Sequence, residues 1–410
     1  MPKEFPGRGR VAVLRTRPET VLEDYARLME LAGFRQALPP DKETILKINI
    51  SWQTWYPACS TTPWQLEGVI RALQAAGYRN LIGAQNNTVV VDAYVGERNN
   101  KHLYVVQKYG IRNVHLYEPQ YRWVRYEPQQ PFLVLDKIYP EGVYIPEILI
   151  GRNIIQLPTV KTHVFTTITG AMKNAFGGLL GTKRHWTHSV IHETLVDLLM
   201  IQQDIHPGLF AVMDGTFAGD GPGPRAMRWH EKDVILASAD QVAIDAISAH
   251  MQGFDPLSIP FIRIAHEMGL GVGDPRQIEI VGEDPEWVLS QNWGFIQEDT
   301  FASRGQKMIY HGPLKPFEKL LLRTPLVPWS YFASNFYHNV YWYSFVGRKR
   351  VEAALQTKWG RLFTEYGAEA GYGGVVMPGM ETRTVTTAAV GLALLTAGIV
   401  AGIWWLGRKK

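Results

Sequence analysis

Short apolar runs rich in β-branched residues alternate with longer stretches of helical spacing from Val11 to Gln252. The runs 11–15, 44–50, 80–84, 153–157, 209–213 and 234–238 read as strands, since each is a short apolar block bounded by turn or cap residues. Between them, PWQLEGVIRALQAA at 63–76 carries apolar positions on one helical face, with Thr62 as N-cap, Pro63 in the first turn and Gly77 as the stop. The stretch 193–203 reads as a second helix, and Asp240 is placed to cap a third over 241–252. Strand and helix in alternation predict an α/β fold, a mostly parallel sheet flanked by helices in Rossmann-like layers. Ligands of such sheets usually bind beyond the carboxyl ends of the strands. The stretch 89–147 is less regular and reads as an insertion or an antiparallel extension.

Composition narrows the chemistry. The 410 residues include a single cysteine, Cys59, so neither an internal disulfide nor an iron–sulfur cluster can be built. The net charge is +4, and it is regional: 303–361 holds ten basic and two acidic residues. These cations lie among large aromatic residues, which favours a lipid surface over nucleic acid as their partner. The amino-terminal residues lack the apolar run of a secretory signal, and the expectation is a main domain on the cytoplasmic side. Val385 to Leu406 is uncharged over 22 positions, with Trp404 and Trp405 near its end. Its length and hydropathy predict a transmembrane helix, hence a single-pass protein anchored in the cell membrane by its C-terminal end. The expected organisation is an α/β domain over 1–285, a basic, aromatic, membrane-proximal helical segment over 286–366, a linker over 367–384 and the span over 385–406.

One stretch concentrates reactive side chains. Between Leu157 and Asp197 lie His163, His185, His188 and His192 together with Lys161, Lys173, Lys183 and Arg184. Gly170, Gly177, Gly178 and Gly181 punctuate it and would let backbone amides approach a ligand. Cations and amides together point to an anionic small molecule. The sequence 177–184 fails the Walker A pattern, with Thr182 where the second glycine belongs and Arg184 after the lysine, and no G-x-G-x-x-G joins a strand to a helix. His188 and His192 are four apart, the spacing of a metal-binding pair on a helix face, with Asp214, Asp220 or Asp245 available to complete a divalent metal site.

The motifs Lys47-Ile48-Asn49, Ser60-Thr61-Thr62-Pro63, PTVKTHVFTTITGAMKNAFGG over 158–178, Val212-Met213-Asp214-Gly215 with Gly221-Pro222-Gly223, and ASADQVAIDA over 237–246 together resemble the domain of unknown function 362 family, over about Ile45 to Gly253. The resemblance implies an α/β domain of bacterial and archaeal proteins, some of which carry ferredoxin-type cysteine motifs; this chain lacks those cysteines. It also implies a polar signature at Lys47, Asn49, Lys161, His163, Lys173, Asn174, Asp214, Gly221, Asp240 and Asp245. Of these, His163, Lys173 and Asp214 are the expected catalytic groups, His163 for proton transfer near neutral pH and Asp214 as base or metal ligand. Lys47, Asn49, Lys161, Asn174, Gly177, Gly178, Lys183, Gly221, Asp240 and Asp245 are expected to bind the ligand. The expectation is a membrane-anchored protein that binds or acts on an anionic small molecule or lipid-linked substrate. The competing reading is a non-catalytic scaffold or ligand-binding module that meets a protein partner.

Overall fold

The computed structural model describes residues 4–87, 91–313, 315–317 and 335–376. The described residues divide into two compact units, one within 4–299 and 350–376, the other within 300–349.

The first unit is built on twelve strands: β1 (Arg10–Arg15), β2 (Thr44–Ile48), β3 (Leu81–Gln85), β4 (Arg112–His115), β5 (Trp123–Tyr126), β6 (Val143–Pro146), β7 (Asn153–Leu157), β8 (Thr159–His163), β9 (Thr167–Ile168), β10 (Leu209–Asp220), β11 (Arg228–Ser238) and β12 (Glu279–Gly282). The main sheet runs β12-β1-β11-β10-β7-β2-β3-β4. All its neighbours are parallel except where β11 lies antiparallel between β1 and β10. Every residue of β2, β3 and β7 is buried, the pattern of parallel strands covered on both faces. Helices 21–31 and 63–75 form one layer; helices 170–174, 191–205, 241–252 and 260–267 form the other.

Local signals account for the helices that matter most. Helix 63–75 starts at Thr62 with a reciprocal capping box, in which Thr62 accepts from the Gln65 amide and Gln65 accepts from the Thr62 amide. Helix 241–252 is capped by Asp240 and ends at Gly253 with φ +102°. The sheet also holds strands that periodicity does not reveal. β10 continues seven residues past Met213, through a bulge near Gly215, because tertiary pairing with β11 overrides the turn-forming Gly and Asp residues there. Within the irregular stretch, β4 joins the main sheet and β5 and β6 pair as a separate antiparallel ribbon.

The carboxyl-terminal expectations are corrected. Among the described residues no helix is long and apolar enough to cross a membrane, and the expected span at 385–406 lies outside them, as do Trp329, Tyr331 and Phe332 of the aromatic segment. The architecture is therefore mixed α/β, and the single-pass anchor with its membrane localisation has no support in it. Hydropathy reads apolarity and length alone, and tertiary packing can absorb both. Packing does so for part of the segment read as membrane-proximal. Trp359 and Phe363 are fully buried in the first unit, where Trp359 stacks on Trp64 with centroids 5.4 Å apart and Phe363 stacks on Trp55 at 4.3 Å. Trp359 also donates to Asp233 at 2.6 Å, and Tyr366 donates to Glu67. In the second unit, Thr300 caps helix 301–310.

Candidate functional site

Four cations gather at the carboxyl ends of β2 and β7. Lys47 closes on β2 and is 7% exposed; Lys161, in the middle of β8, is wholly buried. Lys173 lies on helix 170–174 and is half-buried, while Arg184, at 8% exposure, comes from the 3-10 helix 182–190. The ammonium of Lys47 donates to the Ile48 carbonyl at 2.5 Å. That of Lys161 donates to Asn49 Oδ1 at 2.8 Å and to Thr159 Oγ1 at 2.5 Å. Arg184 donates to the Leu180 and Asn87 carbonyls at 3.2 and 2.8 Å. Lys173 meets the ring of Phe176, 5.7 Å from its centroid, and has no hydrogen-bond acceptor among the described residues. None of the four has a carboxylate within ion-pairing distance among the described residues.

The scaffold that places these groups is built from polar residues whose bonding is complete. Asn174 donates to the Lys47 carbonyl and to Gln156 Oε1, both at 2.9 Å, tying its helix to β2 and β7. Gln156 donates in turn to Gln202, which also accepts from Gln241. Thr61 donates to the Leu157 carbonyl and accepts from the Asn49 amide, holding the end of β2 against β7. Asp245 reaches from a neighbouring helix to accept from the Ala171 and Met172 amides, a cap supplied in tertiary contact. Gly170 is required at that junction: φ is +71°, and a Cβ would meet the Asp245 carboxylate at 2.4 Å. Gly178 serves differently from the amide donor expected of it. Its amide is taken by Ala175, and its missing side chain leaves room for the stem of Lys47, whose Cε would lie 3.3 Å from a Cβ. Gly177 faces the Lys47 ammonium in the same way, at 3.9 Å.

Burial without compensation sets the electrostatics. It lowers Lys47 to about 7, helped by repulsion from Arg184 and opposed, more weakly, by Glu97. Lys161 falls to about 7 and Lys173 to about 8, burial leading in both, with Lys173 repelling Lys161 and Arg184 repelling Lys173. Arg184 itself is lowered to about 10 by burial. His163 is pushed well below its ordinary value by burial and by Lys173, His188 and Lys161. Its Nδ1 accepts from the Phe165 amide at 3.1 Å, which leaves the proton of the neutral ring on Nε2. The groups poised to exchange a proton near neutral pH are therefore lysines, not His163.

The carboxylates expected in the site are engaged by other donors, and among the described residues they ion-pair with none of the four cations. Asp214 is buried on β10 and accepts five hydrogen bonds, from Tyr25, Thr62 and Trp64 at Oδ2 and from the amide and hydroxyl of Thr216 at Oδ1. No lone pair is left for a metal or a substrate proton. Asp240 accepts from the amides of Gly9, Val242, Ala243 and Val272 at 3.0 Å each. Gly221 terminates β10, where its carbonyl accepts from Thr162. Lys183 is exposed over the Trp186 ring at 5.1 Å and points away from the cluster formed by its neighbour Arg184. Sequence reasoning noted Arg184 but left it out of the site, since the 3-10 helix 182–190 that turns it inward has a period close to three that the α-helical reading does not use.

The metal pair loses its premise. His188 falls in the 3-10 helix 182–190 and His192 in the first turn of helix 191–205, with Val190 between them out of helical geometry at φ −135°, so they share no continuous helix face. His188 donates from Nδ1 to the His185 carbonyl and sits edge-on between Phe165 and Phe176, while His192 stacks on Phe261 at 5.9 Å. Among the described residues no three His, Cys, Asp or Glu converge as a metal site. Cys59 is buried with its thiol raised to about 11 by burial, donating to the Pro224 carbonyl at 3.1 Å.

The sequence profile of the family described as "Domain of unknown function (DUF362)" matches residues 44–250, half of the chain. The chain belongs to this family. The matched region holds all four cations and the polar scaffold beneath them, so DUF362 coincides with the site-bearing part of the sheet. A thylakoid-associated protein of Synechocystis is 26% identical over 318 residues, covering 75% of this chain and 93% of its own length. No solved structure matches the chain.

Proposed function

We propose that this DUF362 protein binds a small anionic molecule, bearing phosphate or carboxylate groups, at the carboxyl ends of β2 and β7. The observation that carries this reading is the convergence of Lys47, Lys161, Lys173 and Arg184 in a largely buried space with no carboxylate in ion-pairing range among the described residues. An unpaired buried ion costs on the order of several kcal/mol. A fold gains nothing from four of them unless a ligand supplies the missing charge. Acidic residues are present nearby, yet Asp214 and Asp245 are committed to other donors. Lys173 is the group open to the ligand: it is half-buried, lacks an acceptor, and its lowered pKa of about 8 lets it pass a proton at neutral pH. His163 contributes Nε2–H as a neutral donor.

The test is thermal melting of the full-length protein with inorganic phosphate and with citrate at low ionic strength. A saturable rise in melting temperature is expected, and it disappears in Lys161→Met/Lys173→Met. No stabilisation by either anion at tens of millimolar would sink the reading.

A further inference from the structure

We propose that Arg225 is a further anion-binding residue, which meets the ligand beside Lys161 from the loop that follows β10; this rests on the anion-site reading above. Arg225 is 9% exposed and makes one hydrogen bond among the described residues, from Nε to the Ser51 carbonyl at 2.9 Å. Its two terminal nitrogens have no acceptor, and no carboxylate lies in ion-pairing range of it, among the described residues. Arginine stays charged at any physiological pH, so it cannot shed its proton as a buried lysine can. An ion buried without a counter-charge is a cost to the empty fold. Arg228, three residues on, shows how the neighbouring chain treats a structural cation. Its fork is filled by Asp220 at 2.8 and 3.1 Å and by Glu298 at 3.0 and 3.2 Å.

Three separate contacts place Arg225 beside Lys161. Ser51, whose carbonyl receives Arg225, donates from Oγ to Asn49 Oδ1 at 3.2 Å, and the same Oδ1 receives the Lys161 ammonium at 2.8 Å. Ala58 and Cys59, adjacent in the chain, join the same two cations by a second route. The Ala58 carbonyl accepts from Thr159 at 2.7 Å, and Thr159 accepts from Lys161; the Cys59 thiol donates to the carbonyl of Pro224, the residue before Arg225. The third contact is a close backbone approach. A Cβ on Gly223 would meet the Thr162 carbonyl oxygen at 1.9 Å, and the Gly223 carbonyl accepts from the Val164 amide at 3.2 Å. The loop therefore lies directly on β8, the strand that carries Lys161. The Gly221-Pro222-Gly223 motif acquires a role here, since only a residue without a side chain at 223 lets the loop come so near.

Asn49 and Ser51, which separate the two cations, are half-buried, so solvent reaches the gap between them. With Nε committed to Ser51, the terminal nitrogens of Arg225 remain for the oxygens of one carboxylate or phosphate group, which a planar fork of donors matches. The anion would then lie between the loop after β2 and the loop after β10, with Lys161 beneath it.

The experiment is calorimetric titration of the full-length protein at pH 7 and low ionic strength with inorganic phosphate and with citrate. Arg225→Gln keeps a donor for the Ser51 carbonyl and removes the charge. It should weaken anion binding about tenfold or more, while the melting temperature of the ligand-free protein holds or rises. Arg228→Gln breaks a filled ion pair, so it should lower the melting temperature and leave anion affinity within about twofold of wild type. On the wild-type protein, either anion at saturation should slow phenylglyoxal modification of Arg225 and not that of Arg228, read by peptide mass spectrometry; this decides the matter if Arg225→Gln fails to fold. Three results overturn the assignment of Arg225 and leave the anion site standing: Arg225→Gln binding within about twofold of wild type, an equal loss of affinity in Arg228→Gln, or modification of Arg225 at one rate with and without anion. Wild-type protein that binds neither phosphate nor citrate overturns both readings.

Discussion

Asp214 and Lys161 are both fully buried charged residues on paired strands, β10 and β8, and the fold treats them in opposite ways. Around Asp214, helix 21–31, helix 63–75 and the strand itself each contribute donors, so the carboxylate is a hub that fastens three elements together. Burial pushes its pKa up, and the hydrogen bonds from Tyr25, Thr216 and Thr62 oppose that rise. Lys161 donates to the neutral oxygens of Asn49 and Thr159, is repelled by Lys173, and is attracted by Cys59 and Asp214 without an ion pair. One region uses buried charge to hold the fold; the other buries a cation with no ion-paired carboxylate among the described residues, the charge that the proposed anion would meet. The contrast teaches where to look for function: an unsatisfied buried charge is a cost to the empty protein, whereas a satisfied one is part of the architecture.

The largest expected effect breaks the satisfied side. Asp214→Ala removes the acceptor of five donors and should cost about 3–5 kcal/mol, read as a fall in the midpoint of urea unfolding with the slope unchanged. A loss under about 1 kcal/mol would erase the contrast.

The next effect lies in pH. Lys47 and Lys161 have folded pKa values of about 7, depressed below the ordinary lysine range. The folded state therefore binds fewer protons than the unfolded state between about pH 7 and 10, and stability rises with pH in that window; below pH 7 the full penalty of the buried charge applies. Ligand-free protein should gain on the order of 3 kcal/mol between pH 7 and 9. Asp245, raised to about 8 by burial, pulls the other way below pH 8. Comparison with Lys161→Met separates the two, because only the lysine contribution flattens in the variant. A slope unchanged by that substitution would remove Lys161 from the account.

Smaller again is Lys173→Met. It replaces a cation that has no acceptor, beside Phe176, with an apolar side chain of similar length. The empty protein should be stabilised by about 1 kcal/mol, discounted for partial exposure, and anion-induced stabilisation should be lost. Destabilisation of the ligand-free variant would mean that Lys173 has a structural partner. The smallest effect belongs to Gly178→Ala, whose added methyl presses on the Lys47 stem at 3.3 Å. Stability should change by no more than about 1 kcal/mol, since the flexible lysine can shift, while calorimetric titration shows weaker phosphate binding.

Several parts of this were legible along the chain. Helices 63–75 and 241–252 are written in their caps, Thr62 with Gln65 and Asp240, because capping is settled within a few residues. The lysine-rich stretch around PTVKTHVFTTITGAMKNAFGG marks the neighbourhood of the cations, since glycines and basic residues cluster there in sequence as well as in space. Strands β4 and β12 were not legible, being four residues long and stabilised by neighbours from distant sequence. Nor was the placement of 358–365, whose aromatic residues could equally face lipid or a protein core until Trp64 and Trp55 were seen to receive them.

By itself the sequence determined the α/β alternation, the helix starts and the concentration of cations between Leu157 and Asp197, all properties of local spacing and residue type. Only the tertiary structure decided which charged residues are satisfied. Asp214 meets Tyr25 from 189 positions away and Asp245 meets the Met172 amide from 73, and Lys47 joins the cations of the 157–197 stretch because sheet order sets β2 beside β7.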